Sequence, residues 1–114
     1  MVNNQLLFNL ELYVISEQLG FTITGGTDNQ IIPGDNGIYI TKVLEGGPVA
    51  LDGRITIGDR LTGIRTENGG NFSFDNCTHH QAVEALNICK ESPSVTILVQ
   101  KNFPRQVSSI LDLQ

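Results

Sequence analysis

The chain has 114 residues, 12 of them glycine, with 7 basic against 12 acidic side chains and a formal charge of −5. That length allows one domain with one hydrophobic core, and folding needs neither disulfides nor a structural metal. The acidic balance argues against nucleic acid or an anionic lipid surface as partner, since both call for a positive field. No apolar run approaches the ~20 residues of a membrane span. Met1-Val2-Asn3-Asn4-Gln5 lacks the positive start of a secretory leader. With only Cys77 and Cys89, a disulfide framework is not expected and a reducing compartment is.

No internal repeat appears and no linker divides the chain. Phe8 to Val14 (FNLELYV) begins as an alternation of apolar and polar residues, which predicts a first strand with one buried face. Phe21-Thr22-Ile23-Thr24 alternates cleanly and Gly25-Gly26 ends it. Thr27 to Gly37 is dense in turn formers and reads as a long exposed loop. The β-branched and aromatic run Ile38 to Val43 is a third strand. Gly46-Gly47-Pro48-Val49-Ala50-Leu51-Asp52-Gly53 suits a one-turn helix, with proline at its start and glycine past its end. Ile55 to Ile57 reads as a short strand, Gly58-Asp59 as a turn and Arg60 to Arg65 as another strand. Glu67 to Asn71 reads as the flexible tip of a hairpin-like excursion. All twelve glycines fall between Gly20 and Gly70, so turns are concentrated in the first half of the chain.

The one long helix begins at Thr78. Thr78-His79-His80-Gln81 has the form of a capping box, and good helix formers follow to Lys90. Two apolar stripes run along it: Ala82, Ala85, Leu86 and Cys89 form one, and His79, Val83 and Leu86 the other. One stripe serves the core, so the second must line something else. Ser92-Pro93 stops the helix, and Val95 to Val99 is a final strand. About six short strands with one long and one short helix describe a mostly β, partly open barrel with helical caps.

Gly20, at the mouth of the second strand between Leu19 and Phe21, lets successive N–H groups converge on one point. Such a nest suits an anion, including a terminal carboxylate. Leu19, Phe21, Ile23 and Leu86 can form an apolar pocket beside it. On spacing alone, Gly20 can equally be a turn glycine and the apolar residues core.

The ordered set Leu19-Gly20-Phe21-Thr22-Ile23-Thr24-Gly25-Gly26, Gly37-Ile38-Tyr39-Ile40, Gly46-Gly47-Pro48, Gly58-Asp59 and Thr78-His79-His80-Gln81-Ala82-Val83 through Leu86 resembles a PDZ domain. The resemblance covers residues 8–100, leaving 1–7 and 101–114 as flanks. Gly26 to Asn29 and Asp52-Gly53-Arg54 most resemble the first or second PDZ domains of discs-large-type membrane-associated scaffolds. The resemblance implies a module that binds C-terminal peptides as an added antiparallel strand beside Phe21 to Thr24, with the long helix as the other wall. It implies that the amides of Leu19, Gly20 and Phe21 hold the terminal carboxylate. Leu19, Phe21, Ile23, Val83 and Leu86 would then take the last apolar side chain. His79 falls where an imidazole pairs with a Ser or Thr hydroxyl, giving the class I pattern X-Ser/Thr-X-Φ-COOH, with Φ apolar. Thr22, Thr24, Thr41 and Lys42 would line the course of the ligand, Lys42 favouring an acidic residue upstream.

Implied partners are tails of membrane receptors, channels or adhesion proteins. The implied location is cytoplasmic, at the inner face of the plasma membrane or at cell junctions. The isolated domain is expected to be monomeric, without a cofactor and without enzyme activity.

Three features depart from the family pattern. Gln18 stands where a glycine is usual, and Val14 to Gln18 holds no basic residue, only the acidic Glu17. A basic residue often precedes the motif in the family, so backbone dipoles would here hold the carboxylate with less help from charge, at roughly −7 to −8 kcal/mol, a micromolar constant. The Val-Asn-Gly turn is absent, and Thr66 to Cys77 makes a longer connection instead. In it, Phe72 and Phe74 are expected beneath the helix, or else exposed to extend the ligand surface. In the tail, Val107, Ile110 and Leu111 have helical spacing, so 101–114 is either a short helix or a disordered flank.

Rival readings are weaker. A Cys/His enzyme needs an exposed thiol, an imidazole and an orienting group, and Cys89 falls on the core stripe. Cys77, His79 and His80 crowd together, but helix neighbours point about 100° apart and a fourth metal ligand is missing. Within the PDZ resemblance, the alternative is capture of internal hairpins or of other PDZ domains rather than free C-termini.

Overall fold

In the computed structural model, which describes residues 8–15 and 19–101, the first and last of the alternating segments meet as neighbours. Strands β1 (Phe8–Ile15) and β6 (Ser94–Lys101) pair antiparallel along their full lengths, Phe8 opposite Lys101 and Ile15 opposite Ser94. Between them in the chain lie β2 (Phe21–Gly25), β3 (Ile38–Val43), helix α1 (Pro48–Asp52), β4 (Arg60–Thr66), β5 (Asn71–Ser73) and helix α2 (His79–Cys89). The sheet runs β1-β6-β4-β3-β2, every pairing antiparallel, and β5 adds to β4 as a hairpin. Six antiparallel strands in an open sheet with two helices are the expected architecture.

Most elements form where local chemistry places them. Pro48 opens α1 and Gly53 closes it in the left-handed conformation, with its N–H on the Val49 carbonyl. At α2 the capping box is complete: Thr78 Oγ1 accepts from the Gln81 amide, and Gln81 Oε1 accepts from the Thr78 amide. The core collects Ile38 and Ile40 of β3, Leu61 and Ile64 of β4, Val95, Ile97 and Val99 of β6, and Ala82, Leu86 and Cys89 of α2. Strand β3 is buried on both faces, because Tyr39 packs away from that core, against Ile31 and Ile32 of the long loop.

The Thr66 to Cys77 connection is an ordered hairpin. Thr66 accepts the Gly70 amide on its hydroxyl (2.7 Å) and donates its own amide to the Gly70 carbonyl (2.9 Å), closing the turn into β5. Asn71, expected in the tip, is already in strand, opposite Arg65. Phe74 follows β5 into the core at 1% exposure, and Phe72 packs partly buried against that core. Both lie behind α2, with Cys77 and Ala85.

Two expectations change. The strand expected over Ile55 to Ile57 does not form; residues 53–56 are irregular and 57–58 a turn. The Thr56 amide donates to Asp59 Oδ2 (2.8 Å) and the Asp59 amide to the Thr56 carbonyl (3.1 Å). The segment therefore closes on itself, while Ile55 still fills the core at 2% exposure.

Strand β6 also runs past Val99, where the apolar run ends, through Lys101. Its alternation turns Lys101 inward, an expensive place for a cation. Asp59 Oδ2 at 2.5 Å, the Arg54 carbonyl at 2.6 Å and Thr56 Oγ1 at 3.2 Å receive the ammonium. The rest of the C-terminal flank, with Val107, Ile110 and Leu111, lies outside the described residues.

Candidate functional site

Strand β2 is an edge. It pairs with β3, Thr22 opposite Lys42 and Thr24 opposite Tyr39, and among the described residues no strand lies on its other side. An edge strand presents unpaired N–H and C=O groups to whatever lies beside it. Here α2 lies along that side, leaving a cleft of about 390 Å³ between them. Its β2 wall is Leu19, Gly20, Phe21, Thr22 and Ile23; its α2 wall is Val83, Leu86, Asn87 and Lys90, with Leu44 at one end.

At the mouth, Gly20 has φ +86°, a left-handed conformation that side chains resist. A Cβ there would meet Pro48 Cδ at 3.4 Å, an ordinary contact, so the backbone rather than space demands glycine. The Gly20 carbonyl accepts from the Leu44 amide (2.9 Å), whereas the Leu19 and Gly20 amides donate to no partner among the described residues. These two buried donors open beside an apolar cleft, the arrangement a carboxylate needs.

The opposite end is pinned to the start of α2. The Thr27 amide donates to the Cys77 carbonyl (2.9 Å), and the His79 amide to Asp28 Oδ1 (3.0 Å). Gly26 passes so close that a Cβ on it would lie 2.6 Å from the His79 nitrogen. His79 is thereby held at the end of β2. Its ring is half-buried, and Nδ1 is buried without a hydrogen-bond partner among the described residues.

Of the residues expected at the site, Leu19, Gly20, Phe21, Thr22, Ile23, Val83 and Leu86 line the cleft. Thr24, Thr41, Lys42 and His79 stand outside its walls. Thr22 and Thr41 share a hydrogen bond between their hydroxyls (2.8 Å), and Thr24 Oγ1 accepts from Asn29 (3.3 Å). Lys42 is exposed on β3. Leu44, Asn87, Lys90 and the anchoring Asp28 were not anticipated. For Lys90 the signal was present, since it continues the His79-Val83-Leu86 stripe by one more turn.

His80 is exposed and faces Glu84 at 3.2 Å, away from the cleft. Burial pushes both thiols up, Cys77 above its usual range and Cys89 to about 11, so both are protonated at neutral pH. Among the described residues no three His, Cys, Asp or Glu side chains gather as metal ligands would, and no helix is long and apolar enough to cross a membrane.

The family model for the PDZ domain matches residues 8–100. The chain is 43% identical over 95 residues to the Disks large 1 tumor suppressor protein of Drosophila melanogaster, covering 83% of this chain and 10% of that protein. It is 40% identical over 87 residues to human Disks large homolog 2, covering 76% and 9%. It thus spans about a tenth of the length of these relatives. The crystal structure of Dlg1 PDZ2 from the choanoflagellate Monosiga brevicollis superposes with a TM-score of 0.67 at 34% identity, over 80% of this chain and 90% of that one.

Proposed function

This chain belongs to the PDZ domain family, and from that membership we propose that it captures the C-termini of partner proteins as an added strand on β2. The observation that carries this is the edge of β2, free among the described residues, with the Leu19 and Gly20 amides at its mouth unpartnered among those residues. A peptide running antiparallel to Phe21–Thr24 completes the ladder and ends with its carboxylate on the amides of Leu19, Gly20 and Phe21. Its last side chain enters the apolar walls made by Leu19, Phe21, Ile23, Val83 and Leu86. The hydroxyl of a Ser or Thr two residues earlier gives the His79 imidazole a partner, which selects class I ligands. Thr22, Thr24, Thr41 and Lys42 meet residues further upstream, with Lys42 favouring an acidic one.

In a scaffold of the Disks large kind, such ligands are cytoplasmic tails of membrane receptors, channels or adhesion proteins. The domain would then work at the inner face of the membrane or at junctions, as a binding module rather than an enzyme.

A random C-terminal peptide library tests this. Ser or Thr third from the end, and Val, Leu or Ile last, are expected among the ligands. Apolar residues at both positions would overturn class I selection. Ligands that bind equally well with the terminus amidated would point instead to internal hairpins or other PDZ domains.

A further inference from the structure

The anion site lies at the wrong end of a helix. The cleft that opens onto the Leu19 and Gly20 amides is walled by the last turns of α2, from Val83 to Lys90, rather than by its first. The final carbonyls of a helix carry partial negative charge, and the effect is felt within the last turn. A carboxylate held there meets an opposing dipole, in a chain that already carries a formal charge of −5. Val14 to Gln18, leading into the site, adds no cation and contributes Glu17.

Lys90 is the one charged residue lining the cleft among the described residues. It is the C-cap of α2, exposed, with its backbone amide on the Leu86 carbonyl (3.1 Å). The other lysines and arginines among the described residues divide sharply. Arg54 faces Asp52, Arg60 faces Asp35 and Asp75, Arg65 faces Glu11 and Lys101 faces Asp59. Lys42 and Lys90 pair with no carboxylate among the described residues, and of the two only Lys90 lines the cleft. A long stem along apolar walls with its ammonium in water is the ordinary habit of lysine at such a lip.

We propose that Lys90 supplies the counter-charge for the ligand's terminal carboxylate, offsetting the negative end of α2 and setting the preference for a free C-terminus over a blocked one. This rests on the carboxylate capture proposed above. It also modifies the expectation that backbone dipoles act there with less help from charge. Part of the affinity at the terminus is then electrostatic and screened by salt.

The test uses the full 114-residue chain and a peptide ending in Thr-Ala-Val, as free acid and as C-terminal amide, titrated at low and high salt. Against the free acid, Lys90→Gln is expected to bind about three- to five-fold more weakly at low salt. Lys90→Glu weakens it further, and high salt narrows both gaps. Against the amide, wild type and variants bind alike. Arg65→Gln makes the same change in net charge far from the cleft and leaves both affinities unchanged.

If wild type prefers the acid while the Lys90 variants match it within experimental error, the lysine proposal fails and carboxylate capture stands. Equal losses for acid and amide also overturn it, by placing Lys90 in packing rather than charge. A wild type that binds acid and amide alike overturns carboxylate capture itself, and the role of Lys90 with it.

Discussion

At the start of α2, the His79 ring is held in place by its own backbone, through the Asp28 carboxylate and the close passage of Gly26, while Nδ1 has no partner among the described residues. The ring is thus positioned without being committed to the fold, which is what a selective contact requires. Replacing it should weaken a ligand with Thr third from the end by about 1–2 kcal/mol, the value of one hydrogen bond shielded by a bound peptide. Calorimetric titration of His79→Ala with that peptide, and with one carrying Val at the same place, checks the claim. Loss confined to the Thr peptide is expected; equal loss for both would make His79 a packing residue. Much at this scale was legible in the sequence. Thr78 and Gln81 announce the helix start through a local rule, and Gly20 announces a special backbone. The partner of the His79 amide was not legible, because Asp28 lies in a turn-rich loop whose path no periodicity reveals.

Strands β2, β3, β4 and β6 follow from alternation and β-branching, and these elements were readable because their signals are local. Ile55 to Ile57 misled because an apolar-polar-apolar triplet is too short to distinguish a strand from a loop that buries one side chain. The end of β6 was missed for the opposite reason. A lysine on the inward face contradicts the pattern until its long-range partner Asp59 is known. That pairing joins the last strand to the turn before β4, with side-chain exposures of 8% and 0%. Removing the cation alone leaves a buried carboxylate uncompensated, so Lys101→Met should cost about 3–5 kcal/mol. Adding Asp59→Asn to Lys101→Met should recover part of that loss. Urea unfolding of the two single variants and the double completes a cycle; strictly additive costs would mean the two side chains act independently.

Two buried acids govern how the whole molecule responds to alkali. The Cys89 thiol, with an ordinary value of 9.0, is pushed to about 11 by burial. The Tyr39 phenol, ordinarily at 10.0, is pushed to about 12, first by burial and then by its hydrogen bond to Asp35. Both groups stay protonated in the folded chain where their unfolded counterparts ionise. The stability they contribute is therefore complete below about pH 9 and 10, and is lost as the pH rises towards 11 and 12. Each window is worth up to about 3 kcal/mol. Urea midpoints should fall steeply from pH 9 upward, and in Cys89→Ala the fall should begin nearer pH 10, where Tyr39 takes over. A flat profile to pH 11 would show that neither group is shielded in solution.

The overall architecture was legible as an ordered series of small motifs, each weak alone. The groove became visible only with β2 placed at the sheet edge and α2 along it, since strand order is a property of the assembled sheet. Backbone amide chemical shifts, followed while a free-acid peptide ending in Thr-Ala-Val is added, test the proposed strand addition most directly. The largest changes are expected at the amides of Leu19, Gly20, Phe21 and Ile23 and along the His79-Val83-Leu86-Lys90 face, and they should collapse when the peptide is amidated. Changes centred behind α2, at Phe72, Ala85 and Ile88, or shifts indifferent to amidation, would contradict it.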